Sequence, residues 1–140
     1  MKDYGPTILR IVVGVIFLMH FYVHVFVLGP ARLTGYMATV AKLPAPALVT
    51  WIVMIVGGLG GIMLILGLFT RWVAAAEALH MLGALVFVKL AQGFLNRGII
   101  VDAAAGRAAV VGYELELLLF AASLALVCTG GGAQAATKDG

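Results

Sequence analysis

Four long apolar runs, separated by shorter polar, proline-containing or glycine-containing segments, make up most of the chain. They cover about residues 8–28, 47–69, 73–95 and 108–128, and a glycine- and alanine-rich tail follows at 129–140. A helix of about 20 residues crosses the hydrocarbon core of a bilayer, and each run has about that length. The pattern predicts a single transmembrane domain over residues 1–140, an all-α integral membrane four-helix bundle with a loosely held tail.

Residues 29–46, between the first two runs, hold three prolines, which favour an irregular connection. We expect a short interfacial helix there and a connection long enough to cap a pocket. The first run ends at Gly29-Pro30 without a clear cleavage site, which favours a retained span over a signal peptide. Four spans place both termini on the same side of the membrane, but the loop charges are too evenly divided to orient the protein.

The composition restricts the class of protein further. Of 140 residues, 64% are hydrophobic and 11% are charged, which excludes an ordinary soluble domain. The net charge of +3 comes from scattered residues without a basic cluster, so we expect no nucleic-acid partner. Cys128 is the single cysteine, which rules out a disulfide or a thiolate metal cluster within one chain.

Ionisable side chains inside the apolar runs are the candidate site residues, because a bilayer-embedded charge needs a partner, a water-filled cavity or a proton. Counting about 1.5 Å of rise per residue separates them into two levels. The level away from the termini forms the candidate ligand pocket, with His20, His24, Lys89 and Glu114. The level nearer the termini is a second polar cluster, with Arg10, Arg71, Glu77 and His80.

Helical angles, at about 100° per residue, predict which of these side chains face the bundle. Glu114 shares a face with small and branched residues, and we expect it to point inward. Glu116 lies on the opposite side, where it snorkels or meets another subunit. Lys89 lies about 180° from His80 by the same count, so it either snorkels or faces Glu114. In the second run, Gly57 and Gly61 form a small-xxx-small pair that predicts close helix packing.

Several chemistries suit these residues. The i,i+4 spacing of His20 and His24 is compatible with a metal or haem, but further ligands are lacking, so we expect no metal site. Hydrogen bonding to a quinone carbonyl or to Glu114 needs only one or two donors in an apolar cleft. Plain structural satisfaction of buried polar groups is the alternative.

The order of several short motifs resembles the DoxX family of small four-helix membrane proteins over about residues 7–130. The motifs are Leu9-Arg10, His20, Gly67-Leu68-Phe69-Thr70-Arg71, Gly93-Phe94 and Gly112-Tyr113-Glu114 with the leucines that follow. The resemblance implies a bacterial or archaeal cytoplasmic membrane protein associated with redox complexes, since the namesake is a subunit of a thiosulfate:quinone oxidoreductase. Arg10, His20, Arg71 and Glu114 match polar points of the family pattern, and Lys89 stands where a histidine is expected.

The chain also departs from that pattern at three places. Phe21 follows His20 where a lysine is common, Met54-Ile55 stands where an acid often precedes the glycine pair, and the ending at Gly130-Gly131-Gly132 differs from the usual one. The first hypothesis is a subunit of a membrane redox complex with a quinone-proximal polar pocket and no intrinsic cofactor. The alternative is a structural accessory subunit without ligand chemistry. Either protein contacts membrane lipid and associates with other subunits or with itself.

Overall fold

The computed structural model describes residues 4–90, 93–94 and 112–138, and within them the chain forms five α-helices and no strand. The helices are α1 (Tyr4–Tyr22), α2 (Pro30–Thr39), α3 (Pro46–Leu66), α4 (Thr70–Ala84) and α5 (Glu114–Thr129). Two of them continue as π-helices, α1 over Val23–Leu28 and α4 over Leu85–Lys89. The predicted all-α fold is confirmed, whereas the predicted end of the third run at 95 and start of the fourth at 108 lie outside the described residues.

Among the described residues, three helical segments are long and apolar enough to cross a membrane. They are Tyr4–Leu28, Pro46–Leu66 and Thr70–Lys89, with 25, 21 and 20 residues. The described part of the fourth predicted span is α5, which has 16 residues and packs against α4 and α1. The chain is therefore a membrane protein of helical type.

Close approach of α1 and α3 holds one side of the bundle together. A methyl group added at Gly14 would lie 2.7 Å from Gly61 O, and one added at Gly61 would lie 2.9 Å from Gly14 O. Helices in lipid associate through such small-residue contacts because apolar burial alone gives little drive there. Val13, Phe17 and Leu64 extend this contact into the buried core.

The connection between α1 and α3 contains the expected short helix, α2. Its Leu33 and Met37 are buried against Met54 of α3, so this helix lies across one end of the bundle. Pro30 and Pro46 stand in the first turns of α2 and α3, where a missing backbone N–H costs little.

The turn from α3 to α4 requires left-handed backbone. Gly67, at φ 73°, ends α3, and the N–H groups of Gly67 and Leu68 donate to Leu64 O and Met63 O. This bonding is the Schellman pattern, which favours glycine at its left-handed position.

The expectation of a loosely held tail is wrong for the part of it that the structure describes. The Thr137 N–H donates to Gly67 O at 3.0 Å, and the Phe69 N–H donates to Thr137 Oγ1 at 2.6 Å. Arg10, with 2% of its surface exposed, donates to Gly131 O at 2.8 Å and Gln134 O at 2.7 Å. A buried guanidinium needs acceptors for its five N–H groups, and the carbonyls of the tail supply part of them.

The same Arg10 side chain also donates to the last carbonyls of α3. Its Nη1 lies 2.8 Å from Leu64 O and 2.5 Å from Ile65 O. Both belong to the last four carbonyls of α3, which lack the i+4 N–H donors of a helix interior, so the arginine helps to satisfy the C-terminal end of α3 while it fixes the tail. The start of α1, the end of α3 and the tail therefore meet at one end of the bundle.

Candidate functional site

A cavity of about 740 Å³ occupies the opposite half of the bundle. Residues of all five helices line it, and most of them are apolar. The chain contains three histidines, and all three, His20, His24 and His80, stand on its wall. Volume and lining are those of a small-molecule site, in which a few polar groups orient a ligand within apolar walls.

Two of the histidine rings are fixed through the same nitrogen. The Nδ1–H of His20 donates to Ile16 O at 2.9 Å, and Nδ1 of His80 lies 3.1 Å from Glu77 Oε2. When Nδ1 is the donor, Nε2 of a neutral imidazole is a hydrogen-bond acceptor. Because the partner of His20 is a carbonyl, His20 keeps Nε2 as an acceptor for a further partner, and His80 does so in the tautomer whose Nδ1–H donates to Glu77. The ring of His24 lies near that of His20, with 6.4 Å between the centroids.

Glu77 is a fully buried carboxyl group behind His80. Its Oε1 lies against Gly60, where any side chain would collide with it, and has no hydrogen-bond partner among the described residues. The ring of Phe17 packs against His80 on another side, with 6.0 Å between centroids. Since a buried carboxylate is costly unless it is paired or protonated, Glu77 and His80 are arranged to hold a proton between them.

Lys89 and Glu116 form an ion pair on the cavity wall. Lys89 Nζ lies 3.6 Å from Glu116 Oε1, and Glu116 Oε2 is buried without a hydrogen-bond partner in the described part of the chain. The pair joins the π-helical end of α4 to the first turn of α5. It places one positive and one negative group beside the histidines.

The predicted directions of the two glutamates are wrong. Glu116 lines the cavity, and Glu114 does not. Glu116 shares its side of α5 with the buried residues Leu119, Ser123 and Leu126. Hydropathy did not identify this side because both sides of α5 are apolar, but the buried serine was an available signal.

The angular conflict between His80 and Lys89 is also absent, since both line the cavity. The angular count assumed a uniform α-helix, whereas residues 85–89 are π-helical and turn less per residue. His24 belongs to the other π-helix, Val23–Leu28. Because π-helical turns recur at functional sites, their presence on two sides of this cavity supports a ligand site.

The second predicted cluster does not form one group. Glu77 and His80 belong to the cavity, whereas Arg10 and Arg71 lie beside the tail. A methyl group added at Gly130 would lie 3.3 Å from Arg71 Nε. The two arginines therefore serve the junction of the helix ends with the tail.

Gly57 and Gly61, which were both predicted to serve helix packing, have different surroundings. Gly61 contacts α1, as expected, but Gly57 lines the cavity, where an added methyl group would meet only His80 Cε1, at 3.7 Å. Tyr36 of α2 also lines the cavity and was missed. The apolar spacing of Leu33 and Met37 in the connection was the signal that could have placed α2 over the site.

These features define a multi-spanning α-helical membrane protein with an apolar, histidine-lined internal cavity. The DoxX family model matches residues 5–90, from the second residue of α1 through α4, and the chain belongs to the DoxX family. The resemblance noted from the motifs is thereby confirmed.

A relative in Bacillus subtilis (strain 168) carries the name "Putative oxidoreductase CatD". It is 25% identical over 131 residues, which are 91% of this chain and 81% of the relative. No solved structure matches the chain.

Proposed function

We propose that the protein is a subunit of a membrane redox complex and binds a lipid-soluble quinone or quinol in the histidine-lined cavity. The observation that carries the proposal is the convergence of all three histidines with Lys89 on one apolar cavity. Family membership and the name of the B. subtilis relative agree with a redox role.

The polar groups suit both redox states of such a ligand. A quinone has carbonyl oxygens that accept hydrogen bonds, and the Lys89 ammonium is a donor. A quinol has hydroxyl groups that donate, and the Nε2 atoms of His20 and His80 are acceptors. Aromatic and aliphatic walls, including Phe17 and Val53, suit the ring between them.

His80 is positioned to act as a proton acceptor. It takes a hydroxyl proton at Nε2, and Glu77 at Nδ1 stabilises the resulting imidazolium. Oxidation of a quinol to a quinone releases two protons and two electrons. Nε2 of His20 accepts the second proton, and the electrons must pass to a redox centre. We place that centre in a partner subunit and the complex in the bacterial cytoplasmic (inner) membrane, with both termini of this chain on one side.

The proposal is tested by native mass spectrometry of the protein in nanodiscs that contain a quinone. We expect one bound quinone per chain, and about tenfold lower occupancy after His80→Ala or Lys89→Met, as each removes a hydrogen bond in an apolar site. Cys128→Ala is the control, because Cys128 is exposed and outside the cavity. Equal occupancy in all variants, or a stoichiometric protein partner without any quinone, would reject the proposal and favour the structural accessory subunit.

A further inference from the structure

A second apolar depression of about 500 Å³ runs between α3 and α4, from the cavity toward the turn that joins these helices. We call it the α3–α4 groove. Its wall carries no ionisable side chain and consists of Ile55, Val56, Leu59, Gly60, Met63, Phe69, Trp72, Val73 and Ala76. Leu59 is 56% exposed and Trp72 is 79% exposed, so the groove faces the surrounding lipid.

The groove is continuous with the histidine-lined cavity. Val56 of α3 and Ala76 of α4 line both spaces, so the two meet between these residues. From Val56 to Met63 the groove follows α3 for about 10 Å, at about 1.5 Å per residue. A long ligand can therefore extend from one space into the other without leaving the protein surface.

The cavity itself opens sideways at the same helix pair. Ile52 of α3 and Leu79 of α4 both line the cavity, yet they are 50% and 70% exposed. In a membrane-embedded bundle these side chains meet lipid, so this part of the cavity wall borders the bilayer. Gly83, also on the cavity wall, has open space where a side chain would be.

We infer that the α3–α4 groove holds the hydrocarbon tail of the ligand whose head occupies the histidine-lined cavity. The inference rests on the proposed function and specifies its substrate class: a quinone with a long isoprenoid tail, which enters laterally between α3 and α4. The polar groups surround the head, and the purely apolar groove takes the tail. A phospholipid acyl chain or a second copy of the protein is the competing occupant.

The test compares two quinones with the same head, one with an isoprenoid tail and one with a methyl group in its place. Native mass spectrometry from nanodiscs gives the occupancy of each at equal mole fraction in the bilayer. The critical variant is Ala76→Phe, which obstructs the junction from an exposed position. Ala75→Phe is the matched control, since Ala75 is exposed on α4 and lines neither space.

We expect the wild type and Ala75→Phe to prefer the tailed quinone by about fivefold to tenfold, a modest preference because bilayer lipid also solvates the tail. Ala76→Phe should abolish the preference between the two quinones, because it obstructs the junction that both spaces share. Leu59→Trp changes an exposed residue that lines the groove and not the cavity, so it should reduce the preference while the tail-less quinone binds as in the wild type.

The outcomes separate the two proposals. If neither quinone binds the wild type, the proposed function fails. If both bind and Ala76→Phe leaves their ratio unchanged, the cavity proposal stands and the groove inference is overturned. Loss of a bound phospholipid, or of a dimer, in Ala76→Phe without a change in the quinone ratio would assign the groove to that occupant and also overturn the inference.

Discussion

Gly57 and Gly61 lie one helical turn apart on α3 but have different surroundings, so the same substitution should have opposite effects on stability. A methyl group at Gly61 would lie 2.9 Å from Gly14 O and 3.0 Å from Leu18 N. Both atoms belong to the backbone of α1 and cannot rotate away. A methyl group at Gly57 would meet one ring atom of His80, at an ordinary contact distance of 3.7 Å.

The magnitudes follow from two opposing effects. Replacing glycine by alanine inside a helix stabilises it by about 0.5–1 kcal/mol. Overpacking a close contact costs about 1–3 kcal/mol, and the rigid partners at Gly61 favour the upper end. Gly57→Ala should therefore be neutral or stabilising by up to about 1 kcal/mol, whereas Gly61→Ala should be destabilising by about 2 kcal/mol.

Reversible unfolding in mixed detergent and SDS, followed by circular dichroism, measures both free energies. We expect the free energies of unfolding of the two variants to differ by about 2–3 kcal/mol. If they agree within about 0.5 kcal/mol, which is the usual effect of a surface substitution, the α1–α3 contact described here is incorrect.

Three further predictions concern the buried polar groups. Arg10→Lys should lower the free energy of unfolding by about 2 kcal/mol, because an ammonium has three donors for four carbonyl acceptors. It should also increase the rate of amide hydrogen exchange in the tail, and an unchanged rate would contradict the role of Arg10. Glu77→Ala should lower the free energy of unfolding by about 1–3 kcal/mol, because it leaves Nδ1 of His80 without its partner. Glu77→Gln should retain most of the stability in the same unfolding assay, and equal losses of stability in the two variants would refute the pairing. A double-mutant cycle of Lys89→Met and Glu116→Gln should give a coupling of up to about 1 kcal/mol, and strict additivity would mean that the ion pair contributes nothing.

Three of the four predicted runs overlap the candidate membrane-spanning segments that the structure describes, whereas the predicted end of the third run at 95 and start of the fourth at 108 lie outside the described residues. The predicted second run at 47–69 corresponds to Pro46–Leu66, and the first and third runs correspond to Tyr4–Leu28 and Thr70–Lys89. Bilayer thickness fixes the length of such a helix, so an apolar run nearly determines its extent.

It was much harder to predict which side of each helix faces the interior of the bundle. We expected Glu114 to face the bundle and Glu116 to face away, but Glu116 lines the cavity and Glu114 does not. Both sides of α5 are apolar, so hydropathy did not distinguish the side that faces the bundle from the side that faces lipid. The helical angle placed Lys89 on the side opposite His80, because the sequence of residues 85–89 does not indicate a π-helix. Helical angles therefore identified the candidate side chains but not their grouping.

The tail was misjudged for a different reason. Its small residues suggested weak packing, yet its backbone carbonyls are acceptors for Arg10, which lies more than a hundred residues away along the chain. A buried arginine without an acidic partner nearby in sequence indicates that some backbone must supply acceptors. Which segment does so depends on the fold.

The most direct test of the central claim is photoaffinity labelling of the protein in native membranes with an azido-quinone, followed by mass spectrometric mapping of the labelled peptides. We expect labels on α1 and its π-helix between Phe17 and Leu28, and on α4 and its π-helix between Ala76 and Lys89, with competition by unlabelled quinone. Labels confined to the end of the bundle that holds Arg10 and the tail, or labels that unlabelled quinone does not displace, would contradict it.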